Sequence, residues 1–227
     1  MNKTGIEWAD YTWNPVTGCS PVSECCTNCY AARIAKRFWK GREFSEVQFH
    51  PERLKEVEKF PKNALVFVGS MTDMFHPENC GPNENISLIG RAMQSRPDLN
   101  FVMLTKRPEN IHPKGFMNNL MVGVSVENAS HLGRIETLRK NYKGPKCISF
   151  EPLLGPIPDG VNLLDEIDWV IAGQETGTGA RPAEHKWFHE LENICASEGI
   201  PYFEKKVPCG DPHRRWPKGF RALKGGE

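Results

Sequence analysis

No apolar run in this chain approaches the ~18–20 residues of a membrane span. Its opening, Met1-Asn-Lys-Thr-Gly-Ile-Glu-Trp8, carries no apolar segment of the signal-peptide type. A surplus of either charge is also missing: 29 Lys and Arg stand against 28 Asp and Glu, a formal net charge of +1. Whole-chain charge therefore names no partner. Neither G-x-G-x-x-G nor a Walker sequence occurs, which removes the two common phosphate-cradling loops. No low-complexity linker or internal repeat divides the chain. At 227 residues it can bury a good core, and one domain over 1–227 is the economical expectation. These absences lead to the expectation of a soluble cytoplasmic protein.

What the chain has in excess is cysteine. Four of its eight fall within Cys19-Ser-Pro-Val-Ser-Glu-Cys25-Cys26-Thr-Asn-Cys29, while Cys80, Cys147, Cys195 and Cys209 are scattered. Bunching of this kind argues against a disulfide framework; in a reducing compartment a Cys cluster more often binds metal or does redox work. Two triplets are open. Cys19, Cys26 and Cys29 leave gaps of six and two residues, and Cys19, Cys25 and Cys29 leave five and three. A two-residue gap turns both sulfurs toward one metal with little strain, so the first triplet is preferred. Three protein ligands leave one position of a metal centre open, and an open position is where chemistry happens. A structural zinc would need a fourth ligand from Cys80, Cys209 or a distant His, and reduced thiols without metal are the plainest alternative.

Beyond the cluster one theme repeats. Short apolar, β-branched runs end in polar residues and are followed by longer mixed segments. The runs are Ala64–Ser70, Leu99–Thr105, Leu120–Val126, Lys146–Glu151, Ile167–Gly173 and Ile200–Glu204, with Tyr11–Thr17 before the cluster as a first strand. Near-continuous apolar strands predict a parallel sheet covered on both faces. Segments such as Asn83–Ser95 and Trp187–Glu198 have helical spacing, with Trp187, Leu191, Ile194 and Cys195 on one face. A full (β/α)8 barrel takes ~250 residues. The expectation is therefore an α/β chain folded as a partial, (β/α)6-type TIM barrel, with the Cys loop at 18–31 and an irregular basic tail at 205–227. The last 23 residues carry seven Lys and Arg against two acids.

In parallel α/β folds the active site lies at the carboxyl ends of the strands. Those ends read Ser70-Met-Thr-Asp73, Thr105-Lys106-Arg107, Ser125-Val-Glu127-Asn128, Glu151-Pro152, Gly173-Gln-Glu175 and Glu204-Lys205. Each stops on groups that hydrogen-bond or carry charge, and the cysteine loop belongs to the same rim. A functional face is expected there. Lys106 and Arg107 are candidates to anchor a carboxylate or phosphate, with an exposed basic pair as the default. Glu151, Glu175 and Arg181 are candidates to face substrate. The Gly173–Gly179 turn is flexible enough for close backbone approach to a ligand.

The stretch Ile6-Glu-Trp-Ala-Asp-Tyr-Thr-Trp-Asn-Pro-Val-Thr-Gly-Cys19, followed by Cys26-Thr-Asn-Cys29-Tyr-Ala31, closely resembles a phage-associated family of unsettled function that bears this three-Cys motif. The likeness continues through Ser70–His76, Leu104–Pro108, Gly123–Glu127, Phe150–Leu154 and Gly173–Gly177, nearly the whole chain. Its layout resembles the radical S-adenosylmethionine (SAM) superfamily, in which spore photoproduct lyase is the best-known enzyme it is similar to. The resemblance implies that Cys19, Cys26 and Cys29 hold a [4Fe–4S] cluster with one iron open to SAM. It implies a reduction by an external electron donor that yields a 5′-deoxyadenosyl radical. By position, Ser70 and Asp73 would meet the methionine end of the cofactor, Ser125 and Glu127 its carboxylate or ribose, and Tyr30 would pack against it. The pattern departs from the superfamily's common motif: the first gap is six rather than three, and Asn28 holds the usual aromatic position.

Two stretches are locally basic: Arg33, Lys36, Arg37, Lys40 and Arg42 after the cluster, and Lys205, Lys206, Arg214, Arg215, Lys218 and Arg221 in the tail. Trp39, Phe44 and Trp216 lie among them. Cations mixed with aromatics suit a phosphate backbone with stacked bases, so a nucleic acid or nucleotide is the expected substrate, for base modification or repair. The competing class is a non-catalytic, zinc- or Fe–S-stabilised module that binds nucleic acid or protein.

Overall fold

The computed structural model describes residues 3–80, 85–112, 117–158, 162–205 and 213–223. Among the described residues nine strands occur in the order β1 (Tyr11–Trp13), β2 (Val16–Thr17), β3 (Gln48–Phe49), β4 (Leu65–Val68), β5 (Asn100–Thr105), β6 (Leu120–Ser125), β7 (Lys146–Phe150), β8 (Trp169–Ala172) and β9 (Tyr202–Glu204). The α-helices described between them are α1 (Tyr30–Phe38), α2 (Pro77–Cys80), α3 (Asn85–Gln94), α4 (Gly133–Asn141) and α5 (His185–Ser197). The order β1-β4-β5-β6-β7-β8-β9 forms one seven-stranded sheet, and every neighbouring pair is parallel. The sheet curls into an open, partial barrel, as the run of apolar strands predicts.

Burial explains the continuous apolar runs. All residues of β4, β6, β7, β8 and β9 are buried because both faces of the sheet are covered. On one face Val66, Val68, Phe101, Val122, Ile148 and Val170 meet the helices through Ile89, Met93, Ile135, Leu138, Phe188 and Leu191. On the other, inner face Leu65, Phe67, Val102, Met121, Cys147, Trp169 and Phe203 pack with Trp8, Phe220 and Ala222. A closed barrel fills its interior with strand side chains; here the two ends of the chain supply the filling. The described part of the tail, residues 213–223, is irregular as expected, yet it is fastened. Trp216 stacks edge-on against Phe203 at 4.8 Å and donates from Nε1 to Trp8 O at 3.1 Å.

The open edges are also managed. Arg214 pairs antiparallel with Phe203 on β9, and Lys3 with Tyr11 on β1, so each edge strand is partly covered by a terminal segment. The expected first strand, Tyr11–Thr17, breaks after Trp13. Pro15 cannot donate to a ladder, and Val16–Thr17 leaves the sheet to pair with Gln48–Phe49. That departure, with Gly18 next, launches the cysteine loop. Gly18 has φ +98°, and a Cβ there would lie 2.2 Å from Glu46 O, so only glycine fits the bend.

Candidate functional site

The cysteine loop lies on the carboxyl rim because its polar side chains reach a different strand end at each step. After β5, Arg107 donates to Ser20 O at 2.9 Å and Ser20 Oγ at 2.8 Å, and its Nη1 lies 3.8 Å from Cys19 Sγ. After β6, Glu127 accepts from Ser23 Oγ and Cys25 Sγ, both at 2.7 Å. After β8, Glu175 accepts from Asn28 Nδ2 at 2.9 Å. After β4, Ser70 O accepts from Tyr30 OH at 2.6 Å. Four strand ends thus hold one loop. A helical run begins immediately after it, with Cys29 at the cap of α1.

Electrostatics sort the loop's thiols. Cys25 is buried, and its thiol hydrogen is committed to Glu127. Its neighbour Cys26 and burial both push the Cys25 pKa up, while the adjacent Cys25 holds Cys26 below the ordinary thiol value. Burial, and then the charge of Asp73, raises Cys19 despite the nearby Arg107. Cys19, Cys26 and Cys29 are each half-buried, and none of the seven described cysteines forms a disulfide. Among the described residues no three His, Cys, Asp or Glu side chains are gathered closely enough to hold a metal ion. The donor chemistry of the loop nevertheless fits a thiolate-held centre. Three partly exposed thiols share one rim loop, and the fourth is occupied elsewhere.

The remaining candidates divide into groups that serve the scaffold and groups that stay open. Asp73 is tied on all sides: it accepts from Thr105 Oγ1 at 2.6 Å, Lys106 N at 2.9 Å and Phe75 N at 3.0 Å, and pairs with Arg107 at 3.7 Å. The default of an exposed basic pair is corrected here. Arg107 is buried, and Lys106 is half-buried. Burial opposes the Lys106 charge, but Cys25, Glu127, Cys26 and Asp73 around it outweigh burial and raise its pKa. Ser70 exchanges hydrogen bonds with Asn14 at 3.0 and 3.2 Å, and Ser125 is buried with its carbonyl accepting from Arg134 at 2.7 Å.

Glu127 is fully buried and also pairs with Arg134 at 2.7 Å. Burial pushes its pKa up, yet the Cys25 hydrogen bond, the Lys106 charge, the Ser23 hydrogen bond and Arg134 together hold it below the usual carboxylate range. Arg181 donates to Glu175 from its backbone N at 2.8 Å and from Nε at 2.9 Å, and this partner holds the carboxyl down to about 2. Glu151 and Lys205 pair directly beside Gly173. The expected close approach at the Gly173–Gly179 turn is made by a side chain of the protein itself. Gly177 has φ +93°, and a Cβ there would lie 2.3 Å from Arg33 Nη1, which belongs to α1.

Ser20, Ser23, Asn28 and His76 were not among the expected site residues; Ser20 Oγ and His76 Nε2 lie 2.8 Å apart. Single polar residues within a loop leave no periodic signal in sequence. Of the basic stretches, the tail loses its aromatic, since Trp216 packs inward, and Lys206 and Cys209 lie outside the described residues. Trp39 and Phe44 pair with each other at 5.8 Å, and Arg42 stacks 4.2 Å over Trp39.

A family model described as "Protein of unknown function (DUF5131)" matches residues 3–215. The chain belongs to that family. Among curated proteins none matches. Among solved structures, spore photoproduct lyase is similar. A cysteine-to-alanine mutant of that lyase with dinucleoside spore photoproduct aligns at a TM-score of 0.50 and 10% identity, covering 86% of this chain and 74% of that one. A tyrosine-to-phenylalanine mutant of the lyase aligns at 0.47 and 11% identity, covering 78% of this chain and 60% of the other. Identity this low makes the likeness one of fold. The chain spans between about three fifths and three quarters of those lyase chains. Among the described residues no helix is long and apolar enough to cross a membrane.

Proposed function

We propose that this protein is a radical SAM enzyme whose Cys19, Cys26 and Cys29 hold a [4Fe–4S] cluster, and that it acts on a nucleic-acid base or nucleotide. The observation that carries the reading is the division of labour in the loop. Cys25 is locked to Glu127, and three half-buried thiols remain on the carboxyl rim of a partial barrel. When bound, the cluster and SAM supply a 5′-deoxyadenosyl radical after reduction by an external donor, and the protein supplies orientation and exclusion of water. The fold likeness supports this reading, and the bound dinucleoside photoproduct of the similar lyase supports a nucleic-acid-type substrate.

Within this proposal the chain's own residues have separate tasks. Tyr30 stands at the loop's end with its ring partly exposed and its hydroxyl fixed on Ser70 O, ready to pack against the cofactor. Ser70 and Asp73, and Ser125 and Glu127, shape the cofactor's bed mainly by fixing the loop and strand ends. Lys106 presents a cation beneath the loop. Glu151 with Lys205, and Glu175 with Arg181, stand at the rim as the groups that would orient substrate. The whole of 1–227 works as one domain, in the reducing cytoplasm where its thiols stay free.

The ligand assignment is tested by anaerobic loading with iron and sulfide, with both elements measured per chain. Cys19→Ala, Cys26→Ala and Cys29→Ala are each expected to lose most of the iron, and Cys25→Ala to keep it. Loss with Cys25→Ala and retention with Cys26→Ala would overturn the assignment. One tightly held zinc in place of iron would favour the binding-module reading.

A further inference from the structure

Helix α1 follows the cysteine loop directly; Tyr30 OH and Arg33 Nη2 reach back to Ser70 O and Thr176 O, while Ile34 and Phe38 stay exposed. Ala31 and Ala35 are buried against the body of the protein. Tyr30, Ile34 and Phe38, four residues apart and therefore on one side of the helix, are 44, 40 and 65% exposed. They are three of the five exposed large hydrophobic residues among those described, and a fourth, Val22, belongs to the cysteine loop itself. Exposed apolar residues gathered in one place mark an interaction site, whereas scattered ones do not.

The chemistry beside this stripe is cationic. Lys36, Arg37 and Lys40 are exposed. Among the described residues none of the three forms an ion pair, although fifteen such pairs occur elsewhere. No acid occurs anywhere from Tyr30 to Arg42. The Arg37 guanidinium lies 5.1 Å from the Phe38 ring centroid, so a cation and an aromatic face already stand together. A polyanion carrying planar groups complements this surface: phosphates meet the unpaired cations, and bases stack on exposed rings. A paired duplex hides its base faces, which leaves a single strand as the form that uses both features.

We infer that the exposed face of α1, formed by Ile34, Lys36, Arg37 and Phe38, together with Lys40 just beyond the helix end, binds a single-stranded nucleic acid and leads it to the cysteine loop. The inference rests on the nucleic-acid reading proposed above and adds the surface and the strandedness. Phosphates seated on Lys36, Arg37 and Lys40 would hold the backbone along the helix. Tyr30, at the loop end of the same stripe, marks where the strand would reach the candidate centre.

The test is fluorescence anisotropy of the full-length protein with a labelled single strand of about 12 nucleotides, within the usual footprint of such binders, as DNA and as RNA, and with the matching duplex, over a salt series. The wild type is expected to bind a single strand more tightly than the duplex. Lys36→Glu/Arg37→Glu is expected to weaken binding at least about tenfold at ~0.1 M salt and to flatten the salt dependence. Phe38→Ala should weaken it at least about fivefold. Lys140→Glu/Lys143→Glu, at the end of α4 and just beyond it, makes the same charge change elsewhere and should alter binding less than about threefold. Unchanged melting temperatures would show that the variants fold. Wild-type binding that the α1 variants leave unchanged, or that the α4 pair weakens equally, overturns this surface and leaves the nucleic-acid reading standing. Absence of wild-type binding to any of these oligonucleotides overturns the inference and, of the reading it rests on, leaves only a free nucleotide as substrate. Loss of a dimer, or of binding to anionic vesicles, in Phe38→Ala without oligonucleotide binding would also overturn the inference.

Discussion

Glu127→Gln is the sharpest test of how the rim is held together. The substitution keeps the size of the side chain and removes its charge, so any loss reflects polar contacts rather than a cavity. Glu127 is 0% exposed and Arg134 12% exposed, with 2.7 Å between them. Removing one partner of a buried pair costs about 3–5 kcal/mol, because a charge is left buried and unpaired. Arg134 keeps its bond to Ser125 O at 2.7 Å, which places the loss near the lower end, ~3 kcal/mol. For a domain of this size each kcal/mol lowers the melting temperature by ~2–4 °C, giving a fall of ~6–12 °C by calorimetry. Ser23 and Cys25 lose their carboxylate as well, so amide exchange in residues 19–29 should rise before the strands respond. Glu24→Gln, in the exposed contact to His131 at 3.0 Å, is the control and should cost less than ~1 kcal/mol. A Glu127→Gln melting temperature within ~2 °C of wild type, with loop exchange unchanged, would refute the reasoning.

Other outcomes follow from the same contacts. Cys25→Ala should cost ~1 kcal/mol in denaturant unfolding, and Cys25→Ser should recover most of it by restoring a donor to Glu127; equal losses would mean that the 2.7 Å contact is not what matters. Trp8→Ala should cost ~3–5 kcal/mol, since Trp8 is 1% exposed and packs on Phe67 at 4.9 Å and Trp169 at 5.8 Å; a loss under ~1 kcal/mol would remove its role as barrel filling. Glu175 has a folded-state pKa of about 2, below its ordinary value, so its contribution is fully present above the unfolded pKa and is lost as pH falls from ~4.5 toward 2. Glu175→Gln should flatten the pH dependence of stability in that window; an unchanged acid limb would contradict the assignment. Asp73→Asn should cost ~1–3 kcal/mol by spoiling at least one of its three hydrogen bonds, read from the denaturation midpoint.

The sheet was legible because burial on both faces makes a parallel strand apolar throughout, and every strand of the sheet lies within or matches an apolar run, from Leu65–Val68 to Tyr202–Glu204. The rim was legible for the same reason: where a strand leaves the core its residues turn polar, and Thr105, Ser125, Glu127 and Glu175 do so. Partnership was not legible. Asp73 looks like a free carboxylate in sequence and is a buried hub, because its partners Thr105, Lys106 and Arg107 lie on the next strand's end, far along the chain. Arg107 reads as half of an exposed pair and is buried under Ser20. Trp216 reads as a stacking platform in a basic tail and instead fills the inner face, since nothing in a local window reveals that an open barrel needs a plug. Spacing favours Cys26 over Cys25, but the carboxylate that occupies Cys25 sits 102 residues away and leaves no local signal.

The central claim is tested most directly by chromatography for 5′-deoxyadenosine after anaerobic reconstitution with iron and sulfide, with SAM present and dithionite as reductant. The account predicts 5′-deoxyadenosine that depends on both cluster and reductant and disappears in Cys26→Ala. A colourless protein that holds one zinc and forms no 5′-deoxyadenosine would contradict it.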